Sequence, residues 1–214
     1  MGRLAAAVLA FFALAAAAAA RAAPDEDMSL GSPKAAVTVI EYASPTCPHC
    51  ARFNAEVFPA FKAKWVDTGK VRYVLREAPI HPDLDAAGYL LARCAGPANY
   101  FKVVDALMRA QSEYYGPNVD GEDGVATAYR GALFRIAGSV GLSQSKSFDC
   151  MTDQAGLDSL FKRTDREMAQ YDVHMTPTFV VNGVKIAEQD VDLAALDAAI
   201  QSAQAPHAHA RKAR

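Results

Sequence analysis

The chain has 214 residues, about half of them hydrophobic, with 22 Lys and Arg against 24 Asp and Glu and only four cysteines. That balance provides no basic footprint for nucleic acid. The length suits one domain, or one domain carrying an insertion.

The chain opens with Arg3, an apolar run over residues 4–20, the small-residue site Ala20-Arg21-Ala22, and then Asp25-Glu26-Asp27. This order reads as a secretory signal peptide over residues 1–22, which is set aside from the fold. The competing reading is an uncleaved anchor helix, but the run is at the short limit for spanning and is mostly alanine. Removing 1–22 takes away Arg3 and Arg21, leaving 20 basic residues against 24 acidic ones and moving the net charge from −2 to −4. Export would deliver the cysteines to a compartment where disulfides persist, so a periplasmic location is expected. Residues 23–33 read as an N-terminal linker.

Residues 34–44 are rich in β-branched side chains and end at Pro45, as a buried strand would. From Pro48 onward Phe53, Val57, Phe58, Phe61 and Trp65 fall at roughly helical spacing. Pro59 lies inside that pattern and is expected to kink it. A turn at 68–70 leads to a second strand over 71–78. Residues 82–168 are helical in pattern throughout, with segments near 83–94, 97–111, 122–139, 143–150 and 154–172. Strand composition returns over 174–188, where Asn182-Gly183 is the favoured pair for a two-residue hairpin turn. A final amphipathic helix covers about 191–202, and residues 204–214 read as a disordered basic tail. His207 and His209 in that tail are poor evidence for a metal site. Two strands joined by a helix make a right-handed parallel crossover, so the order implies a small mixed α/β sheet flanked by helices.

Two of the four cysteines, Cys47 and Cys50, stand three residues apart in SPTCPHCARF. A Cys-x-x-Cys serves zinc, covalent haem or redox chemistry. Haem attachment needs histidine at 51, which is Ala51. Zinc needs a second pair of ligands; Cys94 and Cys150 stand far apart, although four-cysteine ligation is compatible with the spacing. A binding module holding copper or zinc through Cys47, His49 and Cys50 is a further alternative. The redox reading draws on position. Cys47 follows a strand and caps the next helix, with Pro48 at the first helical position, where a missing N–H does no harm. Unpaired helix N–H groups and the positive end of the dipole then favour the Cys47 thiolate. His49 would add to this as a cation or N–H donor. Cys50, one turn further in, is expected to be more buried and less acidic.

Cys47-Pro48-His49-Cys50 after a strand resembles the active site of the DsbA-like branch of the thioredoxin superfamily, whose dipeptide is Pro-His. Met175-Thr176-Pro177-Thr178-Phe179 resembles that family's cis-proline loop and the strand after it, and the helical block resembles its insertion. The resemblance implies a thioredoxin fold with an inserted all-helical domain. The thioredoxin-like part would be discontinuous, over 34–81 and 169–203, with 82–168 as the insertion. It implies a disulfide-donating enzyme working through a redox-active Cys47–Cys50 disulfide, with no metal or other cofactor. Its substrates would be unfolded or reduced proteins, and its reoxidant a membrane protein of the DsbB type. Pro177 would be the cis-proline, and Thr176 would pair with an extended substrate by strand addition; the competing reading is an ordinary trans strand start. Glu41 would lie beneath the dithiol and relay protons, or else be an exposed strand residue. Threonine at 176 departs from the valine often found in the family's oxidases and matches isomerase-type relatives, which keeps an isomerase or reductase in view. Cys94 and Cys150 resemble a second disulfide found in some members; two buried thiols or a second redox pair are the alternatives. Arg76 and Glu77 read as strand-end charge, with Arg76 a candidate neighbour of the dithiol. Tyr114-Tyr115-Gly116-Pro117 reads as a loop, and His81-Pro82 as a boundary turn.

Overall fold

The computed structural model describes residues 27–205; the expected signal peptide and nearly all of the expected tail lie outside them. Five strands form one sheet in the order β1-β3-β2-β4-β5. They are β1 (Met28–Leu30), β2 (Val37–Ala43), β3 (Val71–Glu77), β4 (Thr178–Val181) and β5 (Val184–Glu188). β2 and β3 run parallel, with Glu41 opposite Leu75, and the other pairings are antiparallel. β1 is a difference from the sequence reading. Residues 28–30 were expected in a linker, yet they pair with β3 and Met28 is buried. Three residues are too few to show alternation, so periodicity could not reveal this strand.

The helix after β2 begins as α1 (Pro48–Arg52) and passes through a π-helical turn at Phe53–Val57. It continues as α2 (Phe58–Phe61) and ends in a second π-helical turn at Lys62–Val66. Pro59 lies in the first turn of α2, where its absent N–H leaves the preceding ladder without a donor. The wider turn ahead of it is one way a helix accommodates that loss. The helices α3 (Pro82–Cys94), α4 (Pro97–Arg109), α5 (Gln111–Tyr114), α6 (Gly121–Ser139), α7 (Gln144–Met151) and α8 (Gln154–Gln170) all fall between β3 and β4. α9 (Leu193–Gln204) closes the fold. This is the thioredoxin fold with a helical insertion. Val181 pairs with Val184 across Asn182 and Gly183, both of positive φ, so the β4–β5 hairpin has the two-residue turn that the Asn-Gly pair favours.

The sheet is buried on both faces. Val37, Val39, Ala43, Tyr73, Leu75 and Phe179 face the main core, which α1, α2 and the insertion complete. Ile40, Tyr42, Val74 and Val180 face a smaller cluster with Val173. Side chains alternate along a strand, so Glu41 shares the main-core face with Val39 and Ala43.

The insertion is fastened to the sheet by Glu77. Its buried carboxylate accepts from Arg93 Nε of α3 at 2.7 Å, from Tyr100 Oη of α4 at 2.9 Å and from Arg163 of α8. The Thr164 hydroxyl reaches its carbonyl at 3.0 Å. Glu77 is thus a buried node rather than ordinary strand-end charge. Such a charge is tolerated only because every oxygen is matched by a donor; losing one partner typically costs about 3–5 kcal/mol. Arg76, one residue earlier, points to the opposite face. It meets Asp27, the Tyr42 hydroxyl and Gln170 there and is not a neighbour of the dithiol.

Cys94 and Cys150 are joined by a disulfide, with their Cα atoms 6.0 Å apart. The bridge ties the C-terminal end of α3 to that of α7. Among the described residues no helix is long and apolar enough to cross a membrane.

Candidate redox-active site

β2 ends at Ala43, and residues 44–47 turn the chain into α1. Cys47 is the N-cap, with extended φ and ψ of −78° and 123°, and Pro48 occupies the first helical position. The Cys47 thiol is a donor to the Thr176 carbonyl at 3.3 Å, across the cis Thr176–Pro177 peptide bond. The two motifs, 129 residues apart in sequence, therefore meet at one sulfur.

The two thiols have opposite environments. The Cys50 thiol donates to the Cys47 sulfur, and the main-chain N–H groups of Cys50 and His49 also point there. Together with a side-chain interaction with Thr176, separate from the carbonyl contact, they outweigh the burial of the thiol and bring the Cys47 pKa down to about 5. Cys50 is fully buried, and its pKa rises because burial penalises a thiolate there, with the charges of Glu41 and Cys47 adding to the effect. Its sulfur lies 3.5 Å from the Ser44 N–H.

His49 acts on Cys47 through its main chain. Its ring Nδ1 is 3.0 Å from Asp190 Oδ1, and Arg52 bonds to the same carboxylate. These groups line a groove of about 260 Å³ with Phe53, Glu56 and Gln189. An apolar groove of about 670 Å³ lies between His81, Leu84, Tyr115 and Val125. Tyr115 and Met175 are exposed aromatic and apolar side chains at this end of the molecule. His81 does lie in the turn before α3, where its Nδ1 is 2.9 Å from Thr46 Oγ1.

Glu41 is buried under the dithiol, with 2% of its surface exposed. Burial pushes its pKa up to about 8. The hydrogen bond from Tyr73 Oη, 2.6 Å long, opposes that rise, and the Cys47 charge adds to it. Of the two readings of Glu41, exposed residue or buried carboxylate, the structure adopts the buried one. Continuous apolar strands hide which parity faces the core, so the sequence could not decide.

Several residues at the site were not singled out from the sequence: Tyr73, Asp85 and Gln111. Each is a common residue type in an ordinary helix or strand pattern, and only its partner makes it notable. The sequence pattern places Tyr114 in a loop, but it ends α5 with its ring fully buried, and its hydroxyl lies 3.2 Å from the Pro45 carbonyl. Among the described residues no group of three or more His, Cys, Asp and Glu side chains is gathered as a metal site.

A family model described as thioredoxin matches residues 22–202, and the chain belongs to that family. A Rickettsia bellii protein whose name places it among protein-disulfide oxidoreductases is 33% identical over 183 residues, 84% of this chain and 67% of that protein. A Rickettsia typhi protein of the same description is 35% identical over 169 residues, 78% of this chain and 59% of that one. The chain thus spans roughly three-fifths to two-thirds of the length of these relatives. The crystal structure of a protein-disulfide isomerase from Novosphingobium aromaticivorans superposes with a TM-score of 0.72 at 27% identity, covering 83% of this chain and 97% of that one. That of Wolbachia pipientis alpha-DsbA1 superposes with 0.69 at 26% identity, covering 82% and 89%. Within the thioredoxin superfamily this is a DsbA-like protein.

Proposed function

We propose that this protein is an exported thiol:disulfide oxidoreductase that introduces disulfides into reduced proteins through Cys47 and Cys50. The observation that carries the reading is the acidic Cys47 thiol at a helix N-terminus, beside a buried, non-acidic Cys50.

In the oxidised enzyme a substrate thiolate attacks the Cys47 sulfur. A mixed disulfide forms, and Cys50 leaves with the electron pair of the old S–S bond. Cys50 is a poor thiolate, so its departure is helped by a proton. Glu41, with its pKa near 8, is mostly protonated at neutral pH and coupled to both sulfurs, which suits it to supply one. The substrate segment lies across Thr176 and Pro177, pairing with the main chain there. A second substrate thiolate then attacks the substrate sulfur of the mixed disulfide. The substrate disulfide forms, and Cys47 leaves readily because its thiolate is stabilised. Two electrons have passed from substrate to enzyme. A membrane reoxidant of the DsbB type, as the family resemblance implies, would remove them and restore the Cys47–Cys50 disulfide. The order of basic, apolar and small residues over 1–22 supports export to the periplasm; the N-terminal sequence of mature protein from cells tests it.

The deciding experiment is titration of the Cys47 thiolate together with the reduction potential of the dithiol. A pKa near the ordinary value of about 8.5 would remove the basis for an oxidant. A second reading, a disulfide isomerase, is favoured by Thr176 before the cis-proline and by the likeness to the Novosphingobium isomerase. Reactivation of reduced against scrambled ribonuclease separates the two. An oxidase acts mainly on the first substrate, an isomerase on the second.

A further inference from the structure

Residues 44–47 hold the reactive sulfur against α1, and their main-chain groups are satisfied partly from residues 44–51 and partly from outside. The one internal main-chain bond runs from the Cys47 N–H to the Ser44 carbonyl, at 3.2 Å. Within the turn the Thr46 N–H also reaches Ser44 Oγ at 3.2 Å, and α1 meets the Ser44 N–H through Cys50 Sγ and the Cys47 carbonyl through the Ala51 N–H. Further support comes from the helical insertion. Gln111 Nε2 of α5 donates to the Pro45 carbonyl at 2.8 Å and to the Cys47 carbonyl at 2.9 Å. Asp85 of α3, wholly buried, accepts at Oδ1 from the Thr46 N–H at 3.1 Å and at Oδ2 from the Ser44 hydroxyl at 2.8 Å. The same Oδ2 accepts from the N–H groups of Ile80 and His81 at 2.9 and 3.0 Å, which ties the turn to the entry of α3.

We propose that Gln111 and Asp85 are positioning residues for the dithiol, clamping residues 44–47 so that Cys47 stays at the N-cap of α1 and facing Thr176. The argument is geometric. Stabilisation of a thiolate by helix N–H groups falls off within the first turn, and a hydrogen bond weakens steeply with angle. The sulfur receives the N–H groups of residues 49 and 50 only while the Cys47 backbone keeps its extended N-cap conformation. Gln111 grips the carbonyl on one side of that residue and Asp85 the N–H just before it. Neither touches a sulfur, so both act through the main chain.

The proposal rests on Cys47 being the acidic thiol of the site, so the wild-type protein is titrated first, by ultraviolet absorbance of the thiolate. A wild-type pKa near 8.5 would end that prior reading whatever Gln111 does. With an acidic wild-type thiol, the same titration is run on Gln111→Leu, which removes both donors, and on Gln111→Glu, which keeps size and polarity but turns donors into acceptors. Asp85→Asn, which places an amide where the carboxylate accepts four bonds, completes the set. The expected result is a rise of about one pKa unit, and at neutral pH a shift of about tenfold in the glutathione equilibrium toward the oxidised form. Gln111 is only partly buried, so at least one of its variants is expected to fold. A lower melting temperature with an unchanged thiol pKa and unchanged glutathione equilibrium in the folded variants would overturn the proposal and leave the clamp a structural feature only.

Discussion

The two cysteine pairs differ most in which end of a helix they occupy. Cys47 caps the N-terminus of α1, and Cys50 lies one turn inside it. Cys94 is the last residue of α3, and Cys150 lies in the last turn of α7. A helix N-terminus offers free N–H groups and positive potential to a sulfur, and a C-terminus offers carbonyls and negative potential. A thiolate is therefore favoured at Cys47 and disfavoured at the second pair. Because exchange proceeds through thiolates as attacking and leaving groups, these helix ends favour exchange at Cys47 over exchange at Cys94 or Cys150. Spacing reinforces this. A disulfide between Cys47 and Cys50, which are free thiols in this structure, would close a short ring, whereas the second bridge spans 56 positions and restrains the unfolded chain.

The largest test of the contrast removes each pair in turn. Cys47→Ser is expected to abolish exchange with glutathione disulfide, and Cys50→Ser to accumulate a mixed disulfide with substrate, visible by mass spectrometry. Cys94→Ser with Cys150→Ser should instead lower stability by up to about 4 kcal/mol in urea unfolding and leave the Cys47 pKa unchanged. If that double variant also shifted the pKa of Cys47, the two pairs would not be independent.

A smaller effect is expected in the pH dependence of the reduced protein. The Cys47 pKa is about 5 in the folded state and near the ordinary thiol value when unfolded. Being depressed, it contributes stability that is fully present above the unfolded pKa and is lost as pH falls through about 5. Reduced wild type should therefore lose stability relative to reduced Cys47→Ser as pH drops from 9 to 5; parallel urea curves at both pH values would contradict the depressed thiol.

Glu41 should run the other way. Its folded pKa of about 8 lies above its unfolded value. The folded state thus binds the extra proton, and stability falls as pH rises from the ordinary carboxylate range through 8. Glu41→Gln, which can still accept from Tyr73, should be close to neutral at pH 4.5 and stabilising by about 1 kcal/mol or more at pH 8.5. Equal effects at the two pH values would argue that Glu41 is not the buried acid described.

Local chemistry is what the sequence could express. A Cys-Pro-His-Cys after a β-branched run, Asn182-Gly183 between two strands, and Pro48 at a helix start each declare themselves within a few residues, because turn, cap and strand preferences are short-range. The helical insertion was legible for the same reason, to within a few residues at most ends. Other properties depend on partners far along the chain. The depth of Glu41, the meeting of Cys47 with Thr176, the burial of Glu77 among Arg93, Tyr100 and Arg163, and the grip of Gln111 and Asp85 on the turn before α1 are of this kind. A residue type carries no record of its partner, and a strand buried on both faces does not reveal which parity points to which side. The amino-acid sequence determined that Cys47 would cap a helix. Only the tertiary structure decided what surrounds its sulfur, since that depends on packing the insertion and the cis-proline loop against the same turn.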